Sequence, residues 1–149
     1  MRIIKATKTD RQEAIKIATD LKEWFDKKGL QYMQIDFQLN NLVVAKDKGE
    51  VIGFLCYSSD CGRMLLIWLG VKRNMQRNGI GQKLLNWLVC ESKKLGLYSI
   101  ELETLPDEDD YEPYCQTRAF YYKNGFKRIL YKKTRIKDWD DQIVLEKKI

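Results

Sequence analysis

The stretch Gln76, Arg77, Asn78, Gly79, Ile80, Gly81 has the residue types and spacing to hold a phosphate. Ile80, Leu84, Leu85, Leu88 and Leu95 recur after it at helical spacing, so the two glycines open a helix. The first amides of a helix have no carbonyl partners within it, and the helix dipole makes that end electropositive. Phosphate binds there readily. Gly79 and Gly81 leave no side chain to hold a diphosphate off those amides, while Arg77 and Lys83 add charge beside them. Taken alone, a Gly-x-Gly is also a plain tight turn.

Better-known phosphate loops do not fit. A dinucleotide fingerprint needs a third glycine where Leu84 stands, which undercuts Glu101 and Glu103 as ribose ligands. A Walker loop needs four residues between its glycines and a Ser or Thr after its lysine; here one residue separates the glycines and Leu84 follows Lys83. The chain contains no histidine, which excludes Ser-His and Cys-His catalysis and every histidine metal site. No metal is expected. Cys56, Cys61, Cys90 and Cys115 show no paired spacing and are expected to be free thiols.

The elements that must position this turn can be read outward from it. The apolar run Leu65 to Leu69 has the length and continuity of a central strand covered on both faces, and it ends at Gly70 and Val71. Leu42–Lys46 and Val51–Ser58 read as a hairpin around Asp47 to Glu50, and Ser59 to Gly62 turns the chain into the central strand. Upstream, Arg2–Ala6 forms a short strand, Thr9 or Asp10 caps a helix with Ala14, Ile15, Ala18, Leu21 and Phe25 on its apolar face, and Gly29 stops it. Trp24 and Phe25 read as core, and Leu30 to Asn40 gives no clear period. Downstream, Ser99–Thr104 alternates as a strand with Ile100 and Leu102 on one face and Glu101 and Glu103 on the other. An acidic loop, Leu105–Pro113, follows, and Phe126–Lys133 and Gln142–Glu146 supply late strands.

Gln76 to Gly81, a Gln/Arg-x-x-Gly-x-Gly/Ala pattern at a strand-to-helix turn, closely resembles the acyl-CoA loop of the GNAT N-acetyltransferases. Thr117 to Phe126 resembles that family's Phe-Tyr-x-x-x-Gly-Phe helix and turn, and the similarity of element order extends over most of the chain. The resemblance implies an α/β fold with a mixed, mostly antiparallel central sheet flanked by helices on both faces, one acetyltransferase domain over residues 1–149, and acetyl-CoA as co-substrate. It further implies that Leu69, Gly70 and Val71 hold the pantetheine and help polarise the carbonyl. Gln76 belongs to the loop motif, Arg77, Asn78, Gly79, Ile80, Gly81 and Gln82 would supply the pyrophosphate cradle, and the aperiodic Leu30–Asn40 region would help line the acceptor pocket.

Acetyl transfer to an amine needs a neutral nucleophile, a polarised carbonyl and a proton for the departing thiolate. Tyr121 stands four residues before Gly125, as the family's proton-donating tyrosine does. Tyr122 suits a core aromatic better. A phenol of pKa about 10 can protonate a thiolate whose conjugate acid lies near about 8.5 when the two touch. No glutamate lies in Leu65–Val71, and Glu103 falls where the branch acting on ribosomal-protein N-termini carries its catalytic glutamate; a solvated or salt-bridged strand residue is the other reading. Many relatives place an asparagine seven residues before the tyrosine, where this chain has Tyr114.

With 44% hydrophobic and 32% charged residues and no membrane-length apolar run, the chain reads as a soluble globular protein. Met1 to Lys5 lacks the apolar core of a signal peptide, so a cytoplasmic location is expected, with no membrane partner. The formal charge of +6 raises nucleic acid as a partner, but no binding motif accompanies it and none is expected. The expected reaction transfers acetyl from acetyl-CoA to a primary amine, small molecule or peptide, with five carboxylates between Asp107 and Glu112 favouring a cationic acceptor. A monomer or homodimer is expected. The alternative is a noncatalytic acyl-CoA-binding regulatory module, which would not need Tyr121.

Overall fold

In the computed structural model, which describes every residue from Met1 to Ile149, the elements run β1 (Arg2–Lys5), α1 (Lys8–Asp20), α2 (Lys27–Leu39), β2 (Asn41–Asp47), β3 (Glu50–Asp60), β4 (Arg63–Val71), a 3₁₀ turn (Arg73–Met75), α3 (Ile80–Lys94), β5 (Ser99–Thr104), α4 (Glu112–Lys123), β6 (Lys127–Lys132) and β7 (Gln142–Lys148). The strands form one sheet in the order β1-β2-β3-β4-β5-β7-β6. Only β4 and β5 pair in parallel; all other neighbours are antiparallel. This is the mixed, mostly antiparallel sheet expected from the sequence.

Local chemistry explains the joints. Lys48 and Gly49, then Cys61 and Gly62, take positive φ in pairs, as two-residue hairpin turns between right-twisted strands require. Thr7 caps α1 and forms a capping box with Asp10, each side chain accepting from the other's amide. The expected cap at Thr9 or Asp10 therefore lies one turn too far in. Gly29 does not stop a helix either: α1 ends at Asp20, and Gly29 sits in the first turn of α2, where its amide donates to Asp26 Oδ1 at 2.7 Å. The aperiodic segment Leu30 to Asn40 is mostly this second helix. Gly29, Met33 and Phe37 form a narrow buried stripe along it, while Ile35 and Leu39 are exposed, so its apolar residues occupy two faces and blur the helical period.

Two cores cover the two faces of the sheet. Leu84, Leu85 and Leu88 of α3 pack with Met64, Leu66, Ile100 and Leu102 on one face. Ala14, Ile17 and Ala18 of α1 and Met33 and Phe37 of α2 pack with Val44, Phe54 and Cys56 on the other. Fully burying an aromatic such as Phe54 contributes about 1.5–3 kcal/mol, and its ring fixes a neighbour's identity. A Cβ on Gly70 would lie 2.5 Å from Phe54 Cζ, so only glycine lets β3 and β4 sit together there. Leu95, expected on the buried face of α3, instead ends the helix and is exposed.

Candidate active site

The β4–β5 ladder contains only Arg63–Ser99, Met64–Ile100 and Leu65–Glu101. Beyond it the two strands part, and β4 from Leu66 to Val71 pairs with β3 alone. Backbone groups of this half of β4 on the β5 side therefore lack a strand partner, an arrangement that buried backbone tolerates only when another group satisfies it. The opening is sharpened by a bulge: Leu66 opposes Tyr57 and Trp68 opposes Cys56, leaving Ile67 as the extra residue. The bulge reverses the alternation of faces. Met64 and Leu66 point toward α3, Trp68 toward α1 and α2, and Leu69 and Val71 toward α3 again.

A cleft of about 1360 Å³ runs through this gap, larger than the roughly 300–1,000 Å³ of sites for drug-sized ligands. One end is the start of α3. Gly79 is the N-cap, at φ +78° and with no side-chain cap bond, and the first intrahelical amide bond is that of Lys83 to Gly79 O. The amides of Ile80, Gly81 and Gln82 are left for another partner. Gly79 and Arg77 both take positive φ, and no protein atom lies within 4 Å of where a Gly79 Cβ would stand. Gln76 Nε2 donates to Val71 O at 3.1 Å, tying the loop to the end of β4. Arg73 is held by Asp20 and Glu23, pulling the Glu23 carboxyl down to about 2, whereas Arg77 and Lys83 form no ion pair. The end is positive, open and built of main chain.

Tyr121, on α4, lines the cleft. Its ring packs on Phe126 and Phe120 at centroid distances of 5.4 and 5.2 Å. It is 6% exposed, yet its hydroxyl has no hydrogen-bond partner in the protein; burial pushes its pKa up, with a smaller contribution from Tyr114. Tyr122, read from the sequence as the core aromatic of the pair, is the exposed one. Its hydroxyl donates to Asp107, and its pKa is pushed up to about 12 by partial burial and by that carboxylate. Arg118, itself 4% exposed, donates to Leu105 O and Asp109 O and so fixes the acidic loop against α4.

The other end is made of side chains. Trp24, Phe25, Tyr32, Trp68, Tyr114 and Trp139 line it, so three of the chain's four tryptophans face the cleft. Trp24 Nε1 donates to Pro113 O at 3.1 Å and Tyr114 returns a bond from its hydroxyl to Trp24 O. Tyr32 meets Trp139 edge-on at 5.4 Å, and Lys28 Nζ donates to Lys137 O at 2.7 Å, so the β6–β7 connection closes over α2. Glu103 lines the cleft in an ion pair with Lys132. Around the whole cleft stand seven carboxylates (Glu23, Asp26, Asp36, Glu101, Glu103, Asp109, Asp140) and three cations (Lys22, Arg63, Lys132), a formal −4.

The residues singled out in the sequence meet here: Leu69, Gly70, Val71, Gln76, Gly81, Glu103 and Tyr121 all line the cleft. Arg77, Asn78 and Gly79 form the exposed turn beside it, Ile80 is buried with its amide at the helix start, and the Gln82 side chain turns away to Asn86 and Asn124. Asp107, Glu108 and Asp110 are outside the lining. Part of this end falls in the Leu30–Asn40 region expected to line an acceptor pocket, from which Tyr32, Ile35 and Asp36 face the cleft; Trp24 and Phe25 of the α1–α2 connection, Trp68 of β4, Tyr114 of α4 and Trp139 of the β6–β7 connection were missed because they share no spacing.

A family model described as an acetyltransferase (GNAT) domain matches residues 38–128. No curated protein matches the sequence. Among solved structures, a GNAT-family protein from Desulfovibrio desulfuricans aligns over 99% of this chain and 98% of its own at 21% identity and TM-score 0.83. The ribosomal-protein-S18-alanine N-acetyltransferase from Escherichia coli aligns over 99% and 93% at 19% identity and TM-score 0.77. An acetyltransferase from Bacillus subtilis in complex with CoA aligns over 99% and 98% at 17% identity and TM-score 0.76. At these identities the structures show a shared fold.

Proposed function

Because the chain belongs to the GNAT acetyltransferase family, we propose that it transfers the acetyl group of acetyl-CoA to a cationic primary amine, acting as a single catalytic domain over residues 1–149. The observation that carries this reading is the parted β4–β5 pair with the bare amides of α3 at its mouth. These residues fit the co-substrate: unpaired β4 backbone suits an extended amide-bearing arm, and a helix start with Gly79 and Gly81 suits a diphosphate. Leu69, Gly70 and Val71 hold the arm, and Gln76 to Gln82 hold the phosphates, with Arg77 and Lys83 adding charge.

When bound, acetyl-CoA supplies an activated acetyl thioester. Tyr121 keeps its proton across the neutral range, since burial raises its pKa above the phenol's ordinary value of about 10. Its hydroxyl, free of protein partners, donates that proton to the leaving sulfur. Glu103, on the cleft wall beside Lys132, receives the proton of the acceptor ammonium directly or through water. A cleft of formal −4 inside a chain of formal +6 favours a cationic acceptor and lowers its concentration requirement at low salt.

A free phenol at Tyr121 favours an enzyme over a noncatalytic acyl-CoA-binding module, which would have no use for a proton donor there. The test is a panel of amines incubated with acetyl-CoA and assayed for CoA thiol. Release with cationic amines, reduced in Glu103→Gln, is the expected result. Acetyl-CoA stabilisation without thiol release from any amine would identify a binding module instead.

A further inference from the structure

We infer that Asp36 is the acceptor's ammonium anchor and that the acceptor is a monoamine carried on an apolar, aromatic-sized body; this rests on the acetyl-transfer reading above. Six of the seven carboxylates around the cleft are already engaged or solvated. Glu23 is paired with Arg73, Glu101 with Arg63 and Glu103 with Lys132. Asp26 caps α2, Asp109 accepts from the Tyr111 amide inside the acidic loop, and Asp140 is exposed in the β6–β7 connection. Asp36 and Asp109 are the half-buried lining carboxylates without a cationic partner, but Asp109 accepts through an exposed bond within its own loop, whereas Asp36 stands on a helix and accepts through a part-buried bond.

Its carboxylate is also fixed. Trp68 Nε1 donates to Asp36 Oδ2 at 2.7 Å, a charge-assisted bond that leaves the other oxygen uncommitted. The backbone behind it is fixed too, since Asn40 donates to Asp36 O through both its amide and its side chain. Trp68 immediately precedes Leu69 on β4, so this carboxylate is held next to the stretch of strand where transfer is placed. A half-buried carboxylate without a cation is an unfavourable arrangement that an ammonium would complete.

The surroundings define the rest of the acceptor. Phe25 meets Trp68 edge-on at 5.9 Å, Tyr32 meets Trp139, and Ile35 is a further apolar lining residue on α2. One partly desolvated, unpaired carboxylate beside aromatic walls matches one ammonium and one apolar body. A polyamine would need a second such carboxylate; Asp26 and Asp140 are exposed and screened by water, and Asp109 is engaged in an exposed bond within the acidic loop.

The probes are phenethylamine, its neutral counterpart 2-phenylethanol, and spermidine, each titrated against the full chain with tryptophan fluorescence as the readout, since Trp68 carries the anchor. Phenethylamine should bind saturably and more tightly than 2-phenylethanol. Asp36→Asn, whose amide oxygen can still accept from Trp68, should weaken phenethylamine by about 10–100-fold, the usual worth of a hydrogen bond to a charged group. The alcohol should bind both forms alike. In turnover the same variant should raise KM more than it lowers kcat, and phenethylamine should exceed spermidine in kcat/KM. Retained stabilisation by acetyl-CoA certifies that the variant is folded. Equal binding of phenethylamine to both forms, equal binding of amine and alcohol to the native chain, or preference for spermidine would overturn the inference while leaving acetyl transfer standing. Absence of thiol release from every amine would overturn acetyl transfer, and the fluorescence titration would still decide the anchor.

Discussion

At the α3 end of the cleft the ligand-facing groups are main-chain amides within one continuous run, Gln76 to Gln82, whereas at the α2 end they are side chains from Trp24, Asp36, Trp68, Tyr114 and Trp139. The first end needs only a strand, a glycine turn and a helix in succession. The second needs five places in the chain to converge (the α1–α2 connection, α2, β4, α4 and the β6–β7 connection), with indoles donating to a carboxylate, as Trp68 does to Asp36, or to a backbone carbonyl, as Trp24 does to Pro113. The charges differ as well: Arg77 and Lys83 stand unpaired at the one, while carboxylates outnumber cations around the cleft as a whole. Main chain can hold the same phosphate in many chains without constraining other positions. Side chains can be exchanged one at a time, so under the proposed function acceptor choice is free to vary while the end proposed for the cofactor stays as it is.

Tyr121 stands between the ends, and its removal is the largest effect expected. Tyr121→Phe keeps the ring contacts with Phe120 and Phe126 and deletes only a hydroxyl that has no protein partner, so acetyl-CoA and amine should bind as before. Turnover should fall by about 10²–10⁴-fold, the range for a positioned proton donor. Tyr122→Phe should change turnover little, because that hydroxyl lies on the surface against Asp107. Because burial raises the Tyr121 pKa, its neutral form persists as pH rises, and the native kcat profile should show no loss from this group below about pH 10. Near-normal turnover in Tyr121→Phe, or a larger loss in Tyr122→Phe, would remove the link between the two ends.

Gly81→Val tests whether the ends can be broken separately. A Cβ at Gly81 would stand 3.8 Å from Val71 Cγ2 and 4.0 Å from Phe120 Cζ, ordinary contact distances, so the first added carbon fits. The branched side chain would then cover the amides at the start of α3. Acetyl-CoA at a hundredfold excess over its dissociation constant should stabilise the native chain by about 2.7 kcal/mol, or about 5–10 °C in melting temperature. The variant should lose most of that shift and keep its affinity for amine measured by tryptophan fluorescence. An intact shift in a folded variant would mean that the diphosphate is held elsewhere, and a lost amine affinity would mean that the ends are coupled.

The same contrast explains what could be read in advance. Gly79, Gly81 and the apolar run of β4 are local signals, and the strand, turn and helix follow in the structure with the order anticipated. The late strands and both hairpins were legible for the same reason, since alternation and turn residues act within a few positions. Asp36 and Trp68 lie 32 positions apart and meet only because α2 packs beside β4. No periodicity announces such a pair. Tyr32, Ile35 and Asp36 of α2 face the cleft and lie off the buried stripe of Gly29, Met33 and Phe37, which blurs the period that would have revealed the helix. The bulge at Ile67, which turns Trp68 toward α2, is equally silent in a run of consecutive apolar residues.

Acidity alone does not make a residue part of the acceptor end, and the acidic loop supplies the smallest expected effect. Its five carboxylates look in sequence like an open negative field, yet Arg128 binds Glu108 through both oxygens at 2.6 and 3.1 Å and Asp107 at 3.0 Å. Tyr122 donates a further bond to Asp107. Of the five, only Asp109 lines the cleft. Replacing both Asp107 and Glu108 with their amides should therefore change the KM of a cationic amine by less than about twofold, the scale of an exposed, screened pair. The change should register at Tyr122 instead. That phenol is held at about 12 first by partial burial and then by the Asp107 carboxylate, so removing the carboxylate should bring its titration part of the way back toward about 10. Ultraviolet titration of the native and doubly substituted chains would read that difference. A marked rise in amine KM with an unmoved Tyr122 would show that the loop carboxylates face the acceptor, and would extend the side-chain end of the cleft beyond its present wall.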